Sequence, residues 1–140
     1  MKAEDFDKKA EEFTKAAKEL NDTPDRTADF DPQDVAANKV YAVLAYFGIL
    51  VLVPMLAAKD SKYAQFHANQ GLILFLLEVI VSVFLGIISG IKVLAIIFTI
   101  VLNLGILAFL VIGIINAVDG RAKELPLIGK FRILTSAKEM

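Results

Sequence analysis

The stretch YAQFHANQGLILFLLEVIV, Tyr63 to Val81, passes from polar to apolar within a few residues. It holds the only histidine of the chain, His67, followed by two amides, Asn69 and Gln70. From Gly71 onward the side chains are large and aliphatic, with a single acid, Glu78, among them. An uncharged run long enough to cross a bilayer needs roughly 20 residues, and Gly71–Ile91 meets that length with Glu78 as its one charge. The stretch therefore reads as the entry of a membrane helix, with a polar collar outside the hydrocarbon and a carboxyl group inside it.

Two further runs flank this one. Val40–Ala58 and Val93–Val118 carry no charge at all. The chain has 140 residues and is 56% hydrophobic, and its mean hydropathy is +0.60. A soluble domain of this size has too few polar helices to cover so much aliphatic surface, so the bilayer is the expected solvent. A net charge of −1 speaks against a nucleic-acid partner, which needs a basic face. With no cysteine and one histidine, disulfides and Cys/His zinc sites are excluded.

These patterns predict an all-α integral membrane protein with three transmembrane helices, at about 40–58, 71–91 and 93–118, within a membrane domain 31–134. Residues 1–30 form a charged N-terminal helix and linker, and 135–140 a short tail. In Ala3–Leu20, Phe6, Ala10, Phe13, Ala17 and Leu20 share one stripe, the pattern of an amphipathic helix. Asp31-Pro32 reads as a helix start, with Asp31 as N-cap and Pro32 at the first helical position. The first membrane helix is expected to run from there to Ala58, kinked at Pro54. Lys59–Gln70 is expected as a loop, with Asn69 and Gln70 capping the second helix. Pro126 and Gly129 break the tail, and its apolar residues suit the headgroup region, with Lys130 and Arg132 turned to water.

With three crossings, Lys59, Lys62, Arg121, Lys123, Lys130 and Arg132 fall on one side, and Arg26, Lys39 and Lys92 on the other. The excess of cations places the 59–70 loop and the C-terminus in the cytoplasm, with the protein in a bacterial cytoplasmic membrane. The acidic N-terminal segment would then be exported.

Two groups of residues are candidates for function. The first is an intramembrane polar seam of Glu78, Ser82, Ser89, Thr99 and Asn103. Glu78 lies about 10 Å along its helix from Gly71, and an ionised carboxylate at such depth costs on the order of 3 kcal/mol. It can be glue, bonded to Asn103 across an antiparallel hairpin, or part of a path for ions or protons. The second is the boundary set around His67, which can sense pH or simply pack beside Phe66. No nucleophile–base pair, metal cluster or phosphate loop is present, so no enzyme and no cofactor are expected.

The strings LAYFGILVLVPMLAAKDSKYAQFHANQGLILFL, Leu44 to Leu76, and GIINAVDGRAKELPLIGKFRIL, Gly113 to Leu134, resemble a group of small bacterial membrane proteins of unassigned function. That group is similar to the Tic-twenty-type import component of the chloroplast inner envelope and to magnetosome membrane proteins. The resemblance implies a multi-span helical membrane protein and no reaction. By motif match it marks Phe66, His67, Asn69, Gln70, Gly71, Asn116, Pro126, Gly129 and Lys130 as one interfacial patch. The expected function is a scaffold or accessory subunit of a membrane assembly, with lipid, copies of itself or other membrane proteins as partners. The alternative is an oligomeric transport or translocation component.

Overall fold

The computed structural model describes residues 2–134, whose regular elements are all helices, with no strand among the described residues. Helix α1 spans Ala3–Leu20 with acids in its first turn and Lys18 in its last, each placed to suit the helix dipole. None of its residues is buried, and Phe6 and Phe13 are largely exposed. A linker leads to α2, Pro32–Ala37, where the Asp31 side chain accepts the Gln33 N–H at 2.9 Å with Pro32 inside the first turn. Helix α5, Lys62–Ile88, and helix α6, Lys92–Val118, form an antiparallel hairpin that turns at Ser89–Ile91. Both are long and apolar enough to cross a membrane. Much of their length is exposed, including Ile80, Val83, Ile87, Val93, Val101 and Leu104, an aliphatic surface that water would not tolerate.

The expected first span is not a single helix. The run from Lys39 to Ala57 breaks into α3, Lys39–Leu44, a 3-10 turn, Gly48–Val51, and α4, Leu52–Ala57. The break has a backbone cause at Gly48, whose φ of 58° lies in the left-handed region that ends a helix. Its packing cause is Tyr46, which turns inward and is buried against Gly113 and His67. Pro54 is the third residue of α4, within its first turn, where a missing N–H costs no bond inside that helix.

The second correction concerns the start of the hairpin. Lys59–Gln70 is not a loop, because α5 begins at Lys62. Ser61 is its N-cap, its hydroxyl accepting the Ala64 N–H at 3.0 Å. Asn69 and Gln70 therefore lie two turns inside a helix and cap nothing. The third correction is the tail. Ala122, Glu124, Leu125, Pro126 and Gly129 are buried beneath the hairpin rather than spread along a surface, although Leu127, Phe131 and Ile133 remain exposed. The expected tail 135–140 lies outside the described residues.

Candidate functional site

The open end of the hairpin is closed by a polar knot. Starting α5 at Ser61 puts Tyr63, Phe66, His67 and Gln70 on adjoining turns, and all four are buried. His67 Nε2 lies 2.9 Å from the Arg121 carbonyl and Nδ1 lies 2.6 Å from the Tyr46 hydroxyl. A carbonyl only accepts, so Nε2 carries the proton and Nδ1 accepts from Tyr46, which defines a neutral imidazole. Rings of Tyr46, Tyr63 and Phe66 surround it edge-on at centroid distances of 4.9–5.7 Å. His67 is thus enclosed in the core rather than placed at a surface.

The two amides reach the tail. Asn69 Nδ2 donates to the Phe131 carbonyl at 2.7 Å, and its Oδ1 accepts from Ile133 N–H at 2.7 Å and Leu134 N–H at 3.2 Å. Gln70 Nε2 donates to the Gly129 carbonyl at 2.8 Å, and its Oε1 accepts the Leu125 N–H at 2.8 Å. Each amide stands in for a strand neighbour, satisfying backbone groups of a buried segment that has no helix of its own. Pro126 and Gly129 shape the turn they hold, and Leu127 within it has a φ of 65°, uncommon for a branched side chain. Lys130 points out of the knot, 5.7 Å from the Phe131 ring.

Asn116, near the end of α6, exchanges two 3.0 Å bonds with Asn21, and its carbonyl accepts the Arg121 N–H at 2.8 Å. This places the start of the linker on the base of the hairpin. A second clasp follows, in which the Thr23 hydroxyl donates to the Glu124 carbonyl at 2.6 Å and Arg26 N–H to the Ala122 carbonyl at 2.9 Å. The Thr27 hydroxyl accepts the Ala122 N–H at 3.0 Å and donates to Asp25. That bond, partly offset by burial, holds the Asp25 carboxyl below the usual range, with Thr27 N–H, Lys123 and Arg121 adding to it. A lowered native value means the contribution is complete above the ordinary aspartate range and is lost as pH falls through the depressed value. Protection of the Arg26 and Ala122 amides, taken relative to the intrinsic exchange rate at each pH, is accordingly expected to fall on acidification, and D25N to remove that acid dependence.

Sequence reasoning missed several members of the knot. Tyr46, Tyr63 and Gln65 are buried in it, and Arg132 pairs with the buried carboxylate of Glu124 while donating to the Gly129 carbonyl at 2.7 Å. The available signal was the spacing of Tyr63, His67 and Gln70 at four and three, visible only once the helix is started at Ser61. Glycine makes two of the close approaches. A Cβ at Gly71 would run into the Ala45 backbone, and one at Gly113 into the Tyr46 ring. Among the described residues no buried side-chain nitrogen or oxygen lacks a partner, and no group of three or more His, Cys, Asp or Glu is placed to hold a metal.

The intramembrane seam is arranged differently from expectation. Glu78 and Asn103 do not bond to each other. Asn103 donates to the Thr99 carbonyl, Ser82 to the Glu78 carbonyl and Ser89 to the Gly86 carbonyl, each within its own helix. The contact line of the hairpin is apolar instead. On α5 it runs through Val81, Leu85 and Ile88, and on α6 through Ala95, Phe98 and Leu102, with the Phe84 and Phe98 rings edge-on at 5.4 Å. At about 100° per residue, Glu78, Ser82 and Ser89 lie roughly 60–100° to one side of the α5 line. Thr99 and Asn103 lie the same rotation from the α6 line. Because the helices are antiparallel, equal rotations fall on the same side, so all five residues share one face of the hairpin. Ser82, Ser89, Thr99 and Asn103 are exposed there and Glu78 is partly so.

The sequence pattern of the magnetosome magnetite crystal formation protein family matches residues 37–132. The chain belongs to this family. The match takes in the broken segment, the hairpin and nearly all of the knot, while α1 and the linker lie before it. The magnetosome protein MmsF of Paramagnetospirillum magneticum is 33% identical over 99 residues, which cover 66% of this chain and 83% of the relative. MamF of the same organism is 33% identical over 96 residues, 64% of this chain and 78% of the relative. MamF of Magnetospirillum gryphiswaldense is 34% identical over 84 residues, 60% of this chain and 72% of the relative. No solved structure matches. A likeness to the chloroplast import component rests on the sequence strings alone.

Proposed function

We propose that this member of the magnetosome crystal formation family is an integral membrane scaffold, a non-enzymatic accessory subunit that holds partner helices against the polar face of its hairpin. The observation that carries the reading is that face. Glu78, Ser82, Thr99 and Asn103 sit together at hydrocarbon depth without full burial inside the chain, and Ser89 continues the same face to the hairpin tip. In lipid such groups are costly, and the usual remedy is a neighbouring helix that hydrogen-bonds to them through small residues. The knot supports the same reading: its groups are bonded to one another, so it serves to stiffen the base of the hairpin. The partner is a second copy or another membrane protein of the same assembly.

The absence of cysteine makes the test direct. Single cysteines at Ser82 and Asn103, in native membranes, are expected to resist a small water-soluble thiol reagent and to form cross-linked adducts with a lipid-soluble bifunctional one. Rapid aqueous labelling of Ser82, Ser89 and Asn103 positions, with Val83 and Ile87 protected, would instead indicate a wet path and the transport alternative. Lack of both labelling and cross-linking would leave the face in lipid and remove the scaffold reading.

A further inference from the structure

We propose that the segment from Lys39 to Ala57 is a re-entrant element: it dips into the bilayer from the base of the hairpin, lies against lipid chains, and returns to the same side. The course of the chain shows the V. Lys39 lies beside Gly120, at the base, just beyond the end of α6. Ala45 then meets Gly71 and Tyr46 meets Gly113. Gly71 is nine positions beyond Lys62, about 13 Å along α5 at 1.5 Å per residue. After the turn at Gly48 the chain descends again, so that the carbonyls of Pro54 and Ala58 accept from Gln65 Nε2 at 2.9 and 3.0 Å. Gln65 is only three positions into α5, and Ala58 leads directly to its N-cap, Ser61. The segment starts and ends at one end of the hairpin and turns at a deeper level.

Its surface and its hydrogen bonds suit that placement. Phe47, Ile49, Leu50, Leu52, Val53 and Leu56 are exposed around the turn, and no charged side chain occurs between Val40 and Ala58. The turn and α4 pack on α5, whose far half is itself an exposed aliphatic surface, and lipid chains are the one occupant that fits both. Broken helices are tolerated at membrane depth only where protein supplies the missing backbone partners. Here local bonds such as Phe47 N–H to the Leu44 carbonyl at 3.2 Å and Leu50 N–H to the Phe47 carbonyl at 3.1 Å serve the turn, and Gln65 adds a second donor to the Pro54 and Ala58 carbonyls of the returning limb.

The consequence is an even number of crossings. The N-terminal helix, the linker, the 58–61 turn and the tail share one side, and only the hairpin tip with Lys92 reaches the other. Arg26, Lys39, Lys59, Lys62, Arg121, Lys123, Lys130 and Arg132 then all lie on the base side, against Lys92 alone. This cation imbalance is steeper than three crossings allow, it puts the base in the cytoplasm, and it requires no export of the charged N-terminal segment.

The inference rests on the membrane reading proposed above, and the test separates the two. Full-length chains with single cysteines at Asp29, Asp60 or Lys92 are exposed to an impermeant maleimide in sealed vesicles of each orientation. Asp29 and Asp60 are expected to label from one side and Lys92 from the other. Labelling of Asp29 with Lys92, opposite Asp60, would establish three crossings and overturn the re-entrant element. Labelling of all three from a single side would overturn the spanning hairpin, and recovery of the protein in the soluble fraction would overturn the membrane reading itself. Depth is read separately, since the chain has no tryptophan. Ile49→Trp is expected to be quenched more by lipids brominated near the headgroup than by lipids brominated near the chain ends. Absence of quenching by either would mean that protein or water, not lipid, covers the turn.

Discussion

Gly71→Val is expected to be among the most damaging single substitutions in the hairpin. A Cβ at position 71 would collide with the carbonyl group of Ala45, a backbone obstacle that cannot rotate aside as a side chain can. Ala45 itself is fully buried and lies in the core with Tyr46 and Phe66. Overpacking costs typically about 1–3 kcal/mol where neighbours can yield. Here α3 would have to lift off α5, which would also pull Tyr46 away from His67, so a loss of about 3 kcal/mol or more is expected. The measurement is the thermal midpoint and monodispersity of the detergent-solubilised protein, alongside its accumulation in membranes. Gly86→Val is the control, because nothing lies within 4 Å of a Cβ there. Equal stability of the two variants would contradict the packing of the broken segment on the hairpin.

Gln70→Leu has the second large expected effect, for a different reason. Leucine nearly matches glutamine in size but leaves the buried Leu125 N–H without a partner and takes one of two donors from the Gly129 carbonyl, which keeps Arg132. A buried orphan of this kind costs about 1–3 kcal/mol. Gln70→Glu separates the two bonds: an ionised carboxylate still accepts from Leu125 N–H but can no longer donate to Gly129. Leucine should therefore release the tail, seen as protease cleavage between Leu125 and Arg132 in membranes where the unsubstituted protein resists. Continued resistance of Gln70→Leu would mean that the tail is held by Asn69 and the Glu124–Arg132 pair without Gln70.

The legible parts of this protein were those that depend on neighbours in sequence. The stripe of Phe6, Phe13 and Leu20, the Asp31-Pro32 helix start and the bodies of the two long helices follow from periodicity, capping chemistry and hydropathy. The start of α5 was misplaced because a hydropathy criterion ends a span where polar residues begin. Tyr63 to Gln70 are nonetheless helical, since Ser61 caps them and their polar groups bond to carbonyls more than 50 residues away. The interfacial patch was drawn from motif strings, and its members are spread across two settings. His67, Asn69, Gln70, Asn116, Pro126 and Gly129 are buried in the knot, whereas Lys130 lies outside it.

The uncharged run from Val40 to Ala58 shows where local information ends. At 19 residues without a charge it is long enough to span, as the other runs of 21 and 26 residues are, and Gly48 and Pro54 are residue types that membrane helices carry without breaking. What breaks this one is the notch that Gly71 and Gly113 open between α5 and α6, which admits the Ala45 carbonyl and the Tyr46 ring and turns the chain back. The sequence by itself determined that the chain is helical, that much of its surface is apolar, and that its polar residues gather at one end of a hairpin and along one stripe, because those follow from the order of side chains. The tertiary structure alone decided that the apolar run from Val40 to Ala58 breaks and packs on the hairpin, and that the polar stripe faces outward rather than into the hairpin. Both outcomes depend on steric fit between segments far apart in the chain.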